Sequence, residues 1–504
     1  MLVSRRPNVT ALIKSWQPLG SGGESEEITL RCYNFDNISW VSMAGSGLSG
    51  NGKIRVKFLV DKEKKKVVFA ESGKEFVDVL LSFLTLPIGT IVRLLGKESS
   101  LGCFDELYKS VESLDESHFQ TKACKNMLLK PHSAAGQHCE DLVVRIDDTD
   151  HRKIYVCSQR ECFSDVFYYS SVPDVLCREC RKSMERSWSW LKSSGVAKDD
   201  GVFVRGGRNY ATTDNLQVFL ANTDNLMNLL HEMGVEDVTM LEEKTSELGL
   251  EEIKNLLKRM LTSDQPLTGL LLSPPDEPTR TNVLPSMDLF KVIHAEVGEE
   301  FCNLLFLFLT LPLGHVIKLL GGSSSISCID NLYKSVENNM NGLMNSDRCR
   351  DMVLSPMLPP FFSCCDYFLK GNEVLATVSS VACCNICIKE CSPFTFDKMK
   401  CSHGNTEVLA VNPKVPTMTT ETGGGYAKGT GTFLVTNELG VAPFSLVNSL
   451  RALKEKEHSI SKLVATDFIF REVEVLNLLR AALVSREALT LACLPTKQKR
   501  RPHY

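Results

Sequence analysis

The sequence predicts an α+β protein made by tandem duplication of a two-module unit, in the order A1, B1, A2, B2, with each module a small sheet covered by helices. Three observations predict this architecture: the length of the chain, a long internal repeat, and strand and helix periodicities within the repeat. At 504 residues the chain has enough material for two to four domains. Its 43% of hydrophobic and 23% of charged residues are typical of a folded globular protein.

The internal repeat is the strongest of these signals. The segment GKEFVDVLLSFLTLPIG at 73–89 matches GEEFCNLLFLFLTLPLG at 298–314 without a gap, at an offset of 298 − 73 = 225 residues. The same offset carries LYKSVE at 107–112 onto 332–337. Chance does not supply an ungapped match of this length and complexity, so we infer a duplication.

A second block repeats at almost the same spacing, which indicates that the duplicated unit extends beyond the first block. The sequence NLLK at 255–258 corresponds to NLLR at 477–480. The first block belongs to module A and the second to module B. We therefore expect residues 53–273 and 284–494 to fold alike.

Module A1 begins with a predicted β-hairpin. Apolar and polar residues alternate from Ile54 to Val60, and an apolar run resumes at 67–70 after the polar turn at 61–66. Apolar residues from Phe76 to Leu84 then fall at helical spacing. This pattern predicts a helix that covers one face of the sheet.

Module B1 is predicted to contain strands between Phe203 and Phe219, helices from Asn225 to Met233 and from Leu250 to Leu261, and a last strand from Leu267 to Leu272. In module A2 we expect the strand before Pro285 to be the poorest match to A1. Proline lacks the N–H group that a position inside a β-ladder requires.

Changes in composition mark the boundaries between modules. Residues 1–42 have no counterpart in the second repeat, so we expect a disordered leader or an extension from gene prediction that makes no stable core contacts, with Met43 as the alternative start. The glycine-rich tract at 417–425 lacks the Lys-Ser or Lys-Thr pair of a phosphate-binding loop and is interpreted as a connector. The expected division is a leader at 1–42, A1 at 53–195, B1 at 200–273, A2 at 284–405, B2 at 426–494 and a basic tail at 495–504.

The longest apolar runs, at 79–95 and 304–320, are each interrupted at the centre by a proline and a glycine. Because a spanning helix needs about 20 apolar residues, we expect two pairs of short buried helices and no membrane span. The N-terminus lacks the apolar core of a signal peptide, so the 19 cysteines indicate a reducing compartment, cytoplasmic or nuclear. The net charge of −4 gives no general reason to expect nucleic acid as a partner.

Four cysteines of A1 form the candidate metal site. Cys157 and Cys162 are one short-spaced pair, and Cys177 and Cys180 are a second. Two such pairs can place four thiolates around one Zn²⁺ at about 2.3 Å, although the four residues between the first two cysteines exceed the usual two. With every position filled by cysteine, the predicted role is structural and not catalytic. The alternatives are free thiols or, for the second pair alone, a redox motif.

The second copy has lost half of this set. Both positions of the first pair align with apolar residues, Leu369 and Val374, while two-residue spacing persists at Cys384 and Cys387. Two thiolates alone hold zinc poorly, so we expect one zinc ion per chain. The alternative is a shifted site with ligands farther along the chain, namely Cys391, Cys401 or His403.

Other patterns are weaker. The acidic run 147–150 before His151 could hold a divalent cation, but such runs are usually solvated turns. Cys103 and Cys328 occupy equivalent repeat positions, and we expect them to be buried thiols rather than nucleophiles. The basic residues at 497–501 lack the aromatic neighbours that stack on bases.

The unit resembles a plant protein family of unknown function, the one catalogued as number 674. The resemblance rests on LVDKEKKKVVFAESGKEFVDVLLSFLTLPIGTIVRLL at 59–95, on CFDELYKSVESLD at 103–115 and on the tail of each B module. It covers nearly all of 53–494. It implies tandem repeats of one domain in a plant protein, with no established activity or catalytic residues to carry over.

No catalytic constellation is recognisable in the sequence. The leading functional hypothesis is therefore a non-enzymatic intracellular protein that acts as a protein-interaction or scaffold module with one structural zinc site. One alternative is a nucleic-acid-binding protein that uses the zinc knuckle and the basic tail. A second alternative is an enzyme of an unrecognised class with its site between the A and B modules.

Overall fold

Within the residues that the structure describes, helices are interspersed with three small sheets, which confirms the predicted α+β class. Equivalent elements recur in the two repeats, so the tandem duplication is confirmed as well. The computed structural model describes residues 52–162, 166–189, 200–235, 237–272, 291–364, 369, 373–374, 379–381, 406–415, 424–429, 431–455 and 463–493. The expected leader, the strand before Pro285 and the basic tail lie outside these residues.

The strands belong to a five-stranded sheet in the first repeat, a five-stranded sheet shared by both repeats, and a three-stranded sheet in the second repeat. Their bounds are β1 Ile54–Asp61, β2 Lys66–Ser72, β3 Lys153–Val156, β4 Val166–Ser170, β5 Arg186–Ser189, β6 Tyr210–Thr213, β7 Val218–Leu220, β8 Leu241–Leu248, β9 His294–Val297, β10 Ser379–Val381, β11 Thr406–Ala410, β12 Phe433–Thr436 and β13 Val441–Pro443.

The helices fall into two matching series. Their bounds are α1 Lys74–Thr85, α2 Ile88–Leu94, α3 Phe104–Ser113, α4 Lys122–Leu129, α5 Thr223–Glu232, α6 Leu250–Thr262, α7 Pro266–Leu272, α8 Glu299–Thr310, α9 Leu313–Leu319, α10 Ser327–Lys334, α11 Asp347–Leu354, α12 Leu446–Glu455, α13 Glu472–Val484 and α14 Ala488–Cys493.

The first sheet has the strand order β7-β6-β2-β1-β8 and is antiparallel throughout. The predicted hairpin is confirmed as β1 and β2, because alternating residues such as Val56 and Phe58 are buried while Arg55 and Lys57 face solvent. The buried face packs against α1. On the other face, Lys57 Nζ lies 3.6 Å from a carboxylate oxygen of Glu243 in β8. The sheet therefore joins strands from the A1 and B1 segments.

The helix pair around Pro87 is also confirmed. Helix α1 ends before Leu86, whose extended backbone leads into Pro87, and α2 begins at Ile88. Proline lacks an N–H and cannot continue the preceding ladder of hydrogen bonds. The second repeat has the same break at Pro312, between α8 and α9.

The predicted strand at Leu267–Leu272 is wrong, because these residues belong to helix α7. A six-residue apolar run cannot be assigned to strand or helix by periodicity alone. Pro266 provides the missing signal, since its fixed φ suits the first position of a helix. Leu267 is buried at the start of this helix.

The two repeats face each other across an approximate two-fold axis at the helix breaks. Ile88 N–H donates to Leu311 O at 3.0 Å, and Leu313 N–H donates to Leu86 O at 2.9 Å. These contacts are equivalent, because 313 − 88 = 225 and 311 − 86 = 225. Each repeat thus makes the same bond to the other.

The B segment of each repeat packs against the A segment of the other. Arg205 N–H donates to Leu343 O, and Lys428 N–H donates to His118 O, both at 2.9 Å. These partners are again equivalent, since 343 − 118 = 225 and 428 − 205 = 223. Buried side chains of both repeats belong to one continuous hydrophobic core. The repeats are therefore interlocked, not merely adjacent.

The sheet of the second repeat, β13-β12-β9, matches the β7-β6-β2 part of the first sheet. Val297 pairs with Phe433, as Ser72 pairs with Tyr210 in the first repeat. The shared sheet has the order β10-β11-β4-β3-β5, in which β11 of the second repeat runs parallel to β4 of the first. Within the described residues, none of the helices has the length and apolar composition that crossing a bilayer requires.

Candidate metal centre

The first cysteine pair lies at the end of strand β3. Cys157 directly follows the strand, and Cys162 ends a short 3-10 turn, Arg160–Cys162. Gln159 N–H points at Cys157 Sγ over 3.4 Å, and Cys162 N–H donates to Gln159 O at 3.2 Å. This tight turn brings the two sulfurs onto the same side of the chain despite their four-residue separation.

The second pair lies in a knuckle-like turn. Cys177 N–H donates to Lys182 O at 2.8 Å, and Arg181 N–H donates to Cys177 O at 3.1 Å. Arg181 has a φ of 61°, the left-handed conformation that reverses the chain. The turn places Cys180 over the first pair, because its Sγ lies 3.4 Å from Cys157 Sγ.

The four sulfur atoms all lie within 4.8 Å of one another. A tetrahedral ion with Zn–S bonds of about 2.3 Å requires sulfur separations of about 3.8 Å, so small adjustments suffice for the group to hold a metal ion. The first three sulfurs are buried, Cys180 is half-buried, and none of the four forms a disulfide. The arrangement could bind a metal ion with four thiolates and leave no open position.

The thiols of the cluster differ in proton affinity. Burial raises the pKa of Cys157 to about 11 and raises that of Cys162 as well. The backbone N–H of Lys182 is the main cause that lowers the pKa of Cys180 to about 7. Desolvation penalises a buried thiolate unless a cation compensates its charge. A bound metal ion would supply that charge.

Two arginine side chains of this region stack on aromatic rings. The Arg178 guanidinium lies 5.7 Å from the centre of the Tyr168 ring, and that of Arg186 lies 5.1 Å from the Trp188 ring. Arg178 lies between Cys177 and Cys180 in the chain, so its positive charge opposes part of the negative charge that four thiolates would carry.

In the second repeat, Leu369 stands where the first cysteine pair begins, and it is buried. Val374 is half-buried, and its N–H donates to Leu358 O at 2.8 Å. Apolar residues thus occupy both positions of the lost pair. The candidate ligands of a shifted site, Cys384, Cys387, Cys391, Cys401 and His403, lie outside the described residues.

The acidic residues before His151 are paired with other side chains of the same chain. His151 Nε2 lies 2.8 Å from an Asp147 oxygen, and Arg93 contacts both Asp147 and Asp148. Burial opposes ionisation of Asp147, but hydrogen bonds from His151 and Thr149 outweigh it and hold the pKa at about 2. Within the part of the chain that the structure describes, the four cysteines are the one group of three or more metal-ligating side chains close enough to share an ion.

Cys103 and Cys328 are buried thiols, as expected. Cys103 Sγ donates to Ser485 O at 2.9 Å, and Cys328 Sγ donates to Ser263 O at 3.1 Å, so each thiol reaches into the other repeat. Burial raises the pKa of both to about 12. Neither thiol has the lowered pKa of a nucleophile.

One buried charge had no signal in the sequence. The Lys414 ammonium donates to Ser363 O at 2.7 Å and lies 4.0 Å from the centre of the Tyr426 ring. Only 1% of this lysine is exposed. Lysine is rarely buried, so sequence alone favours a surface position.

The fold and the cysteine cluster define a tandem-repeat α+β protein with a candidate four-thiolate metal centre. The chain belongs to the DUF674 family, described as "Protein of unknown function", whose model matches residues 50–290 and 291–503. The two matched regions correspond to the two repeats, so the family resemblance is confirmed. No curated protein matches the chain, and no solved structure matches it.

Proposed function

We propose that Cys157, Cys162, Cys177 and Cys180 bind one zinc ion as a structural centre. The convergence of four sulfurs within 4.8 Å carries this proposal. Four thiolates in tetrahedral arrangement are typical of structural zinc, and they exclude hard cations such as Mg²⁺, which prefer oxygen ligands. A closed set of ligands leaves no place for substrate.

The proposed ion stabilises the shared sheet. Cys157 follows β3, and the knuckle of Cys177 and Cys180 lies in the connection from β4 to β5. The strands β3 and β5 have only four residues each, too few for independent stability. Zinc would link the end of β3 to the connection between β4 and β5. This link would stabilise β4 and so its parallel pairing with β11 of the other repeat.

Metal analysis of the purified full-length chain tests this proposal. We expect about one zinc ion per chain, and none when Cys177 and Cys180 are replaced by Ser. The matched control is the double replacement of Cys384 and Cys387 in the second repeat, which should leave the content unchanged. A content near two, or zinc retained by the first variant, would contradict the proposal.

We further propose that the chain is a non-enzymatic intracellular plant protein that binds a protein partner through its second repeat. The supporting observation is a change from polar to apolar residues at equivalent exposed positions. Leu446 and Val447 on α12 stand where Thr223 and Asp224 stand on α5, at an offset of 446 − 223 = 223. Leu446 is 75% exposed, and Val447 is exposed too. Exposed apolar groups of this kind typically mark interaction sites.

A second segment shows the same change. Val464 and Ile469 align with Glu242 and Glu247 of strand β8, at an offset of 464 − 242 = 222. Val464 is 86% exposed, and Ile469 is also exposed. Two separate segments of the second repeat have thus exchanged solvated side chains for apolar ones. This supports a binding surface on the second repeat.

The test replaces the apolar residues by their counterparts in the first repeat, as Leu446→Thr with Val447→Asp. We expect the tagged variant to lose a protein that the wild-type chain retains from plant extract. The control, Thr223→Ala with Asp224→Asn, should retain it. Nuclease treatment distinguishes the nucleic-acid alternative, because a partner held through RNA or DNA would then be released. Equal retention by both variants would overturn the proposed surface.

A further inference from the structure

A cavity of about 270 Å³ opens on the first repeat, where strands of the A1 and B1 segments meet helix α5. Its floor is the outer face of β2, β6 and β7, and its wall is α5. The apolar side chains that line it are Phe69, Ala211, Phe219, Ala221, Leu226 and Leu229. Such a concave, mainly apolar lining is typical of small-molecule sites.

A small residue of β6, Ala211, forms part of the floor of the cavity. Ala211 in β6 corresponds to Leu434 in β12, since 434 − 211 = 223. Leu434 is buried in the second repeat. At the matching place the first repeat has only a methyl group. The cross-strand neighbours differ in the opposite sense, since Phe219 lies beside Ala211 and Ala442 lies beside Leu434. The first repeat therefore presents an aromatic ring beside a small residue, where the second presents a leucine.

Glu71 is the ionisable side chain among the described residues that line the cavity. Its Oε1 accepts a hydrogen bond from Asn209 Nδ2 at 2.8 Å, and within the described residues it has no ion pair. Lys57 lies opposite Glu71 in the ladder but pairs with Glu243. The half-buried carboxylate thus keeps an oxygen for a ligand.

The other polar residues of the lining are already occupied or neutral. Asn222 Oδ1 accepts the N–H of Asn225 as the cap of α5, and Thr223 contributes a neutral hydroxyl. Among the described residues of the lining there is no histidine, cysteine or lysine, and only one carboxylate. It therefore has the composition of a binding site and not that of an acid–base pair.

We propose that this cavity binds a small organic ammonium, a cation with one aromatic ring on a short chain. Size sets the first limit, because a cavity of about 150 Å³ already accepts benzene, so the larger volume here admits a ring with a short side chain. Charge sets the second, because Glu71 favours a cation and repels a carboxylate. The ring lies against Phe69 and Phe219, and the ammonium pairs with Glu71.

Ligand-observed saturation-transfer NMR and calorimetry on the full-length chain test this proposal with two probes of similar shape. We expect 2-phenylethylammonium to bind and 3-phenylpropanoate not to bind. Glu71→Gln should weaken the ammonium about fivefold, because it removes a partly solvated charge-assisted hydrogen bond. Ala211→Leu should abolish binding, because it introduces the residue that fills the same place in the second repeat.

Matched variants separate loss of the site from loss of the fold. Glu296→Gln at the equivalent position in β9 should leave the affinity unchanged. A cooperative melting curve for Ala211→Leu establishes that the variant is folded, and Leu226→Ser, which introduces the residue of the second repeat, gives a second route to weaker binding. No binding of the ammonium to the wild-type chain, equal binding of both probes, or unchanged affinity in a folded Ala211→Leu variant would each overturn the proposal.

Discussion

The two repeats keep the same backbone scaffold but differ in the chemistry placed upon it. Asp78 in α1 accepts the N–H groups of Val202, Phe203 and Val204. The equivalent Asn303 in α8 accepts those of Tyr426 and Ala427. Each side chain accepts hydrogen bonds from buried N–H groups in the equivalent loop of its own repeat. Leaving these N–H groups without acceptors would cost free energy. The need for an acceptor is common to the repeats, whereas the charge is not.

The cysteine centre shows the same division on a larger scale. The reciprocal hydrogen bonds across the two-fold axis join the two repeats to each other, so each repeat contributes one of them. The four-cysteine cluster lies beside β3 to β5 of the shared sheet, and in the second repeat the buried, apolar Leu369 stands at the first ligand position. The reciprocal bonds are thus present in duplicate, while the cysteine cluster, a local support in our proposal, is complete in one copy only.

The largest expected effect concerns this local support. With Cys177 and Cys180 both replaced by Ser, we expect hydrogen-exchange protection in β3 and β5 to fall by about 3 kcal/mol, roughly 100-fold in rate, while α1 and α8 stay protected. The physical reason is that a metal bound by these four cysteines would join the end of β3 to the connection between β4 and β5. The control, Cys384→Ser with Cys387→Ser, should change neither region. Loss of protection throughout the core of the first variant would contradict a purely local role.

The next effect is a pH dependence of the unfolding free energy that Asp78 produces and Asn303 does not. Burial raises the pKa of Asp78 to about 6 from an ordinary value of 3.8, although three backbone N–H groups act in the opposite direction. The folded state therefore holds the proton more tightly than the unfolded state does. Protonated Asp78 stabilises the folded state most below about pH 4, and this contribution is lost as the pH rises from about 4 to 6. We expect a loss of about 3 kcal/mol over this range, measured as the difference between wild-type and Asp78→Asn unfolding free energies.

The reverse substitution, a carboxylate in place of the amide of Asn303, tests the same difference between the two repeats. Asn303→Asp should introduce a loss of stability over the same pH range, because its side chain occupies the equivalent buried position. Chemical unfolding at several pH values measures both variants. Identical pH profiles for the wild type and Asp78→Asn would show that the carboxylate is not the cause.

The smallest effect compares two glycines at the two-fold axis. A Cβ on Gly314 would lie 2.4 Å from Val353 O, whereas one on Gly89 would lie 3.0 Å from its nearest neighbour, Leu309 O. Alanine inside a helix gains up to about 1 kcal/mol over glycine, which offsets part of the clash. We expect Gly314→Ala to lower the free energy of unfolding by about 2 kcal/mol and Gly89→Ala by less than about 1 kcal/mol. A larger loss for Gly89→Ala would contradict the geometry.

Local patterns allowed much of the fold and of the candidate site to be predicted from sequence. The β1–β2 hairpin follows from alternation, and the break between α1 and α2 follows from Pro87, because both signals lie within a few residues of the structure they produce. The cysteine cluster was predictable for the same reason, since each pair is short-spaced. These features need no knowledge of how the repeats pack.

Features that depend on distant contacts were not predictable. The packing of Arg205 against Leu343 joins residues from different repeats, and no periodicity within either repeat indicates it. Lys414 is buried because Ser363 and Tyr426 happen to converge on it from other segments. The helix at Leu267–Leu272 was missed for a different reason, since a short apolar run fits either element.

The most direct test of the central claim, one zinc ion held by the first repeat alone, is anomalous diffraction at the zinc absorption edge from crystals of the full-length chain. We predict a single anomalous peak, bonded at about 2.3 Å to the sulfurs of Cys157, Cys162, Cys177 and Cys180, and no peak in the second repeat. A map without a peak among these sulfurs, or with a second peak of similar height near Cys384 and Cys387, would contradict the account.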